Sequence, residues 1–166
     1  MATIFISIGS NIEKERYIRQ GVAQLVTAFG SINLSSVFES ESVGFDGSNF
    51  YNLVCSATTS LEIGEVTTLL RQIEVANGRD RSAKKFSSRT LDLDLLLYDD
   101  LVVTSPVVLP RDEIDKNAFV LWPLASIAPD LMHPTRNETY QALWSSFEQS
   151  SQPLWAIDFD WQGSDQ

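Results

Sequence analysis

Two aspartates, Asp92 and Asp94, interrupt an otherwise apolar run in RTLDLDLLLYDD, residues 89–100. Successive side chains of a strand point to opposite faces, so this spacing predicts both carboxylates on one face. Leu91, Leu93, Leu95 and Leu97 then take the other face, toward a core. Adjacent carboxylates raise the cost of ionising each other unless a cation lies between them. Just upstream, GRDRSAKKFSSR places Arg79, Arg81, Lys84, Lys85 and Arg89 within eleven positions, five of the chain's 12 basic residues. Basic side chains beside paired carboxylates suit a polyphosphate held jointly by guanidinium groups and divalent metal ions. Taken alone, the basic run is equally well read as a solvated loop.

The elements around this stretch follow from periodicity. A strand over Thr3–Ile8 ends at Gly9-Ser10-Asn11, where Asn11 is the expected cap of a helix whose apolar stripe runs from Tyr17 to Phe29 and stops at Gly30. Strands over Leu34–Glu41 and Phe50–Thr58 follow. A second helix is expected to be capped by Ser60, to carry Leu61, Val66, Leu69, Leu70 and Ile73 inward, and to end at Asn77-Gly78. The strand Thr90–Tyr98 closes the series. The order βαββαβ predicts an α+β, ferredoxin-like fold, an antiparallel sheet with both helices on one face and the other face left for later elements and a site. LVVTSPVVLP adds at most an edge segment, because Pro106 and Pro110 break regular pairing. Helices are expected over Asn117–Ile127 and Tyr140–Phe147, while the tail from Gln149, with Trp155, Phe159 and Trp161, is left unassigned. No repeat or linker divides the chain, so a single domain over residues 1–166 is expected.

Composition narrows the function classes. The chain has 166 residues, 43% of them hydrophobic, and a formal net charge of −10. That charge argues against a nucleic-acid-binding surface. No window reaches the length of apolar chain needed to cross a membrane, and MATIFISIGSN has no basic leader region, so a cytoplasmic location is expected. Cys55 is the only cysteine, sits in the apolar NLVCSA, and reads as a buried structural thiol. His133, the only histidine, lies in APDLMHP and reads as structural. A serine hydrolase triad therefore lacks a convincing base. Trp122 reads as core.

IGSN near the start, FYN at residues 50–52, GRDRSAKKFSSRTLDLDLLLYDD and NAFVLWPLASIAPDLMHP occur in that order, and together they closely resemble the 6-hydroxymethyl-7,8-dihydropterin pyrophosphokinases of folate biosynthesis. The resemblance covers residues 3 to about 134. It implies transfer of the terminal pyrophosphate of ATP to the hydroxymethyl group of a reduced pterin, with release of AMP. By the same resemblance, Asp92 and Asp94 bind two Mg²⁺ ions, and Arg79, Arg81 and Arg89 contact ATP phosphates or support a closing catalytic loop. Glu74 matches a position lining the nucleotide site, while its residue type alone reads equally as a solvated helix residue. Arg111, at a usual histidine, can still donate to an ATP phosphate, and Lys116, beside Asn117, can partly compensate for a usual arginine. Phe50 and Phe119, which residue type alone would place in a core, match the two rings that sandwich the pterin. Asn52 matches the side chain that reads the pterin edge, and main chain from Ser40 to Val43 supplies further hydrogen bonds. ATP and a reduced pterin are the expected partners of a monomer.

The family pattern is not followed everywhere. PRDEIDKNAF puts Arg111 at a usual histidine, Asp112 after it, and Asn117 at a usual arginine, with Lys116 adjacent. Phe86 stands for a usual tryptophan, Ser87-Ser88 for Gly-Pro, and Ser40-Glu41 for Thr-Pro. Three alternatives stay open: a paralogue with weakened or redirected activity, a non-catalytic pterin- or nucleotide-binding protein, and a nucleotidyltransferase that uses the DLD motif and releases pyrophosphate instead of AMP.

Overall fold

The computed structural model describes residues 1–41, 48–78 and 90–163. The expected elements at Val43 and across the basic run Arg79–Arg89 lie outside these residues. β1 (Ala2–Ser10) is followed by α1 (Lys14–Phe29), β2 (Asn33–Leu34), β3 (Val37–Ser40), β4 (Phe50–Thr59), α2 (Ile63–Ala76) and β5 (Asp92–Tyr98). A short 3₁₀ turn (Asp112–Asp115), α3 (Ala118–Ile127), α4 (Tyr140–Ser146), a second 3₁₀ turn (Gln149–Ser151) and β6 (Leu154–Ile157) complete the order. The strands form one antiparallel sheet in the order β5-β1-β4-β3-β6, with β2 also paired to β4. The α+β, ferredoxin-like expectation is met, and the tail contributes an additional edge strand.

Alternation along β1 decides which face packs where. Ile4, Ile6 and Ile8 point into a core shared with Ile18, Val22 and Leu25 of α1 and Val66, Leu70 and Ile73 of α2. Gly21 lets α1 approach the chain entering β5, since a methyl group there would lie 2.9 Å from Leu91 Cδ1. The opposite face carries Phe5 and Val54 against α3 and α4, in a second core containing Val120, Leu121, Leu124, Leu143 and Trp144. α3, AFVLWPLASI, is apolar almost all round, as a helix wedged between a sheet and another helix must be.

The structure corrects several local expectations. Leu91, Leu93 and Leu95 do share the α1/α2 core, but a register shift between Phe5 and Ile6 against β5 sends both Leu96 and Leu97 to the second core. A bulge of this kind inserts one extra residue and reverses the alternation beyond it. The second helix is not capped by Ser60, because β4 is still paired at Thr59 with Ala2. Glu62 is the cap, and its N–H donates to Glu65 Oε1 at 2.9 Å. Asn11 does not cap α1 either. It is buried, donates from Nδ2 to Ser48 O at 3.2 Å, and leaves Glu13 (φ 44°) to turn the chain into the helix. Segment 101–110 makes an isolated bridge, Val103 to Leu109, with cis bonds before Pro106 and Pro110. No helix among the described residues is long and apolar enough to cross a membrane.

Cys55 is fully buried in the first core, and desolvation pushes its thiol up to about 12, as expected for a structural side chain. Trp122 is only half-buried, lying against Phe38 at 4.6 Å and stacked on Trp144 at 5.1 Å.

His133 joins α3 to α4. Its Nδ1 accepts the backbone N–H groups of Thr135 and Arg136, each at 3.2 Å, so in the neutral ring Nε2 carries the proton. Burial depresses its pKa below the usual value; Asp115 opposes the shift and Arg136 adds to it. Because the folded value lies below the unfolded one, the unfolded chain binds more protons as pH falls through about 6.5. The stabilisation is therefore fully present above that pH and is lost as pH falls toward the depressed folded value. Thermal unfolding from about pH 7.5 to 5.5 should show a larger fall in Tm for the native chain than for His133→Asn, whose amide oxygen keeps an acceptor near Nδ1. Equal falls would contradict the assignment.

Candidate functional site at the end of strands one, four and five

Antiparallel register sets the candidate residues in rows. Gly9 of β1 lies opposite Asp92 on one side and Asn52 on the other, and Asn52 in turn lies opposite Phe38. The next row pairs Asp94 with Ser7 and Ser7 with Val54. Val54 and Phe38 face α3 and α4, so Asp92, Asp94 and Asn52 stand on that same face, at its open end. Two residues of strand separate the aspartate Cα atoms by roughly 6.7 Å. Both carboxylates are half-exposed. The expectation that they share a face is met, opposite Leu91, Leu93 and Leu95 but not Leu97, which the bulge turns to the aspartates' own face.

Gly9 is the contact that sequence reading passed over. A Cβ at this position would lie 2.6 Å from Asn52 Oδ1. Only glycine lets the Asn52 side chain lie across β1 toward the aspartates. A glycine inside a strand signals such a close approach, and IGSN carried that signal. Asn52 is itself buried, which restrains the orientation of its amide.

β5 is an edge of the sheet, and two side chains engage its outer backbone groups. Leu93 N–H donates to Glu74 Oε2 at 2.8 Å, and Leu95 O accepts from Arg111 Nε at 3.2 Å. Leu96 O accepts from Arg111 N at 3.0 Å. Glu74 is 6% exposed, so it is not a solvated helix residue. It fixes the one residue between the two aspartates. Arg111 Nη2 lies 3.5 Å from Asp94 Oδ1. Glu74, Asp92, Asp94 and Arg111, with Arg71 and Thr67, line one hollow beside β5.

The pterin-side candidates fall on the same face by the same parity. Phe50 is two residues before Asn52 on β4, and Ser40 of β3 is paired with Phe50. Phe119, in the first turn of α3, packs on the second core and is half-buried. Lys116 is exposed at the end of the 3₁₀ turn, and Asp112 is exposed and apart from the residues lining the hollow. Arg79, Arg81, Arg89 and Val43 lie outside the described residues.

Among the described residues no cluster of three or more His, Cys, Asp or Glu side chains is placed to hold a metal. Two half-exposed carboxylates nevertheless fit Mg²⁺, which takes oxygen ligands, keeps several waters, and completes its shell from substrate phosphates. A soft-metal site is excluded by the same donor set. The sheet thus presents two oxygen donors, Asp92 and Asp94, at one strand end with the Arg111 guanidinium beside them, a donor set suited to a metal-bound phosphate.

Comparison with known proteins makes the class specific. Residues 5–129 match the family described as 7,8-dihydro-6-hydroxymethylpterin-pyrophosphokinase (HPPK). A 2-amino-4-hydroxy-6-hydroxymethyldihydropteridine pyrophosphokinase of Aquifex aeolicus is 33% identical over 137 residues, covering 81% of this chain and 85% of its own. A protein of the same name from Bacillus subtilis is 38% identical, covering 74% and 76%. The fold is shared with an HPPK-DHPS crystallised with substrates (TM-score 0.72, 12% identity) and with HPPK-DHPS of Plasmodium falciparum (TM-score 0.70, 14% identity). Each covers 87% of this chain, which spans less than half of those longer chains (43% and 42%). The chain belongs to the HPPK family, ATP-dependent diphosphotransferases that transfer a pyrophosphoryl group in folate biosynthesis.

The Glu74 contact generates a stability prediction. Glu74→Ala removes the side-chain acceptor of the buried Leu93 N–H, which should cost about 1–3 kcal/mol in urea denaturation. Glu74→Gln, which retains a carbonyl oxygen, should cost less. Equal losses for the two variants would show that the bond to Leu93 does not hold the strand.

Proposed function

We propose that this chain binds ATP and 6-hydroxymethyl-7,8-dihydropterin at the open end of β1, β4 and β5 and moves the β,γ-pyrophosphoryl group between them. The hydroxymethyl oxygen attacks the β-phosphorus, the bond from that phosphorus to the α,β-bridging oxygen breaks, and AMP leaves while the hydroxyl proton passes to solvent or a phosphate oxygen. The row Asp92–Gly9–Asn52 carries this reading. It sets the residues suited to metal-bound phosphate beside the residue suited to the pterin edge, so donor and acceptor would meet over Gly9.

Asp92 and Asp94 would hold two Mg²⁺ ions, which supply charge neutralisation and polarise the phosphates when bound. Arg111, tethered through Nε to Leu95 O, keeps Nη donors for Asp94 and for a phosphate oxygen, so arginine at this position can serve as a phosphate donor. Arg79, Arg81 and Arg89 would close on the phosphates, and Lys116 would add positive charge from the rim. Glu74 would line the nucleotide side while holding β5. Phe50 and Phe119 would sandwich the pterin, each stacking contact contributing on the order of 1 kcal/mol. Asn52 would pair with its donor–acceptor edge, with Ser40 and Val43 nearby. The chain would act as one monomeric domain over residues 1–166 in the cytoplasm.

AMP release by the purified chain should require both Mg²⁺ and the hydroxymethyl pterin. Asp94→Ala should lower that release about a thousandfold or more, the equivalent of ~4 kcal/mol of barrier, while pterin affinity measured by calorimetry stays within about threefold. Pterin binding without AMP release by the native chain would instead establish a paralogue that has lost transfer.

A further inference from the structure

The segment after α4 lies beyond the residues that match the family, yet it touches both layers of the fold. β6 pairs with β3 along Val37–Ser40, placing Leu154 opposite Ser40 and Ala156 opposite Phe38. Leu154 packs on the α3/α4 side, and Ile157 and Phe159 pack on the α1/α2 side. Phe159 meets Tyr51 edge-on at 6.0 Å, and Arg19 Nη1 donates to Asp160 O at 2.6 Å. The tail is thus a strap around the β3 edge of the sheet, tied down at both ends.

At the near end of this strap, Gln152 spans the entrance to α3. Its Nε2 donates to Lys116 O at 2.8 Å, and its Oε1 accepts Ala118 N–H at 2.9 Å. The first N–H groups of a helix have no partner within the helix, and Asn117, the residue at the cap, makes no side-chain capping bond. Gln152 supplies the missing acceptor from another part of the chain, and by also gripping Lys116 O it fixes the backbone on either side of Asn117. Phe119 is the next residue after Ala118.

We infer that Gln152 is a positioning residue for the pterin pocket: by clasping residues 116 and 118 it sets the first turn of α3 and with it the ring of Phe119. The inference rests on Phe119 stacking against the pterin. It also assigns a role to the strap, which delivers Gln152 because β6 is registered on β3, the strand that carries Ser40 at the same pocket. A ring that must stack on a flat heterocycle tolerates little rotation of the helix that carries it. Loosening the first turn therefore costs pterin binding before it costs phosphate chemistry.

Steady-state kinetics of the full chain test this. Gln152→Leu, which keeps the bulk and removes both bonds, should raise KM for the pterin about five- to tenfold and leave kcat and KM for ATP within about twofold. Gln152→Glu, which keeps an acceptor for Ala118 N–H but loses the donor to Lys116 O, should give a smaller rise. A purely structural role would lower Tm or the active fraction, and so kcat, with pterin KM unchanged; that result in either soluble variant overturns the inference. Phe119→Ala separates the two levels. If it raises pterin KM and Gln152→Leu does not, only the clasp is wrong. If Phe119→Ala also leaves pterin KM unchanged, the placement of the pterin fails and the clasp with it.

Discussion

Register between β5, β1, β4 and β3 is the constraint from which the site follows. A strand offers a side chain to one face only at every second residue, so a slip of one residue between β5 and β1 would move Asp92 and Asp94 into the α1/α2 core. The isoleucines of β1 prevent that slip. Ile4, Ile6 and Ile8 are each at most 1% exposed, and shifting them would put three large apolar side chains on the wrong face at roughly 1.5–3 kcal/mol each. The same burial that stabilises the sheet therefore holds Gly9 between Asp92 and Asn52. Hydrophobic sorting at one face does the positioning, and the chemistry appears on the other.

Edge position gives β5 its second property. A central strand would have both sets of backbone groups consumed by neighbours, whereas β5 presents one set outward. Glu74 and Arg111 take these up from opposite chemical sides, a carboxylate on Leu93 N–H and a guanidinium on Leu95 O. Both side chains also reach the hollow that Asp92 and Asp94 line. Covering an edge in this way blocks pairing with a further strand. The Arg111–Asp94 contact is worth little as a surface ion pair. Its significance is geometric, because it parks a cation next to a carboxylate without sealing either from solvent.

Most of this was legible from local pattern. Period two in LDLDL fixes the carboxylates to one face, period 3.6 locates α1 and α2, and the βαββαβ order selects the sheet topology. What escaped is what local pattern does not encode. The bulge at Leu96 falls in LLL, where both faces of β5 are apolar, so composition is indifferent to the reversal. Ser60 is a good cap by type, but the pairing of Thr59 with Ala2 carries β4 further than its own sequence requires and moves the cap to Glu62. Asn11 is likewise diverted from its helix by a partner at Ser48, a contact that exists only after the sheet has formed. The tail shows no alternation over LWAI and pairs with a strand far away in sequence. Glu74 presents the opposite case: an acidic residue on a helix reads as solvated until the backbone N–H it accepts from is known.

The departures in PRDEIDKN look different once placed. Arg111 keeps Nη2 beside Asp94 while its backbone N–H and Nε are spent on β5. Asp112 is exposed at the start of a 3₁₀ turn and is not among the side chains that line the hollow. Asn117 contributes its carbonyl to α3, accepting from Val120 and Leu121, but no side-chain cap. The helix that begins there depends on a glutamine from the tail. A side chain beyond the matched residues 5–129 grips this stretch of backbone, and the first turn of α3 is held from the tail that runs into the edge strand β6.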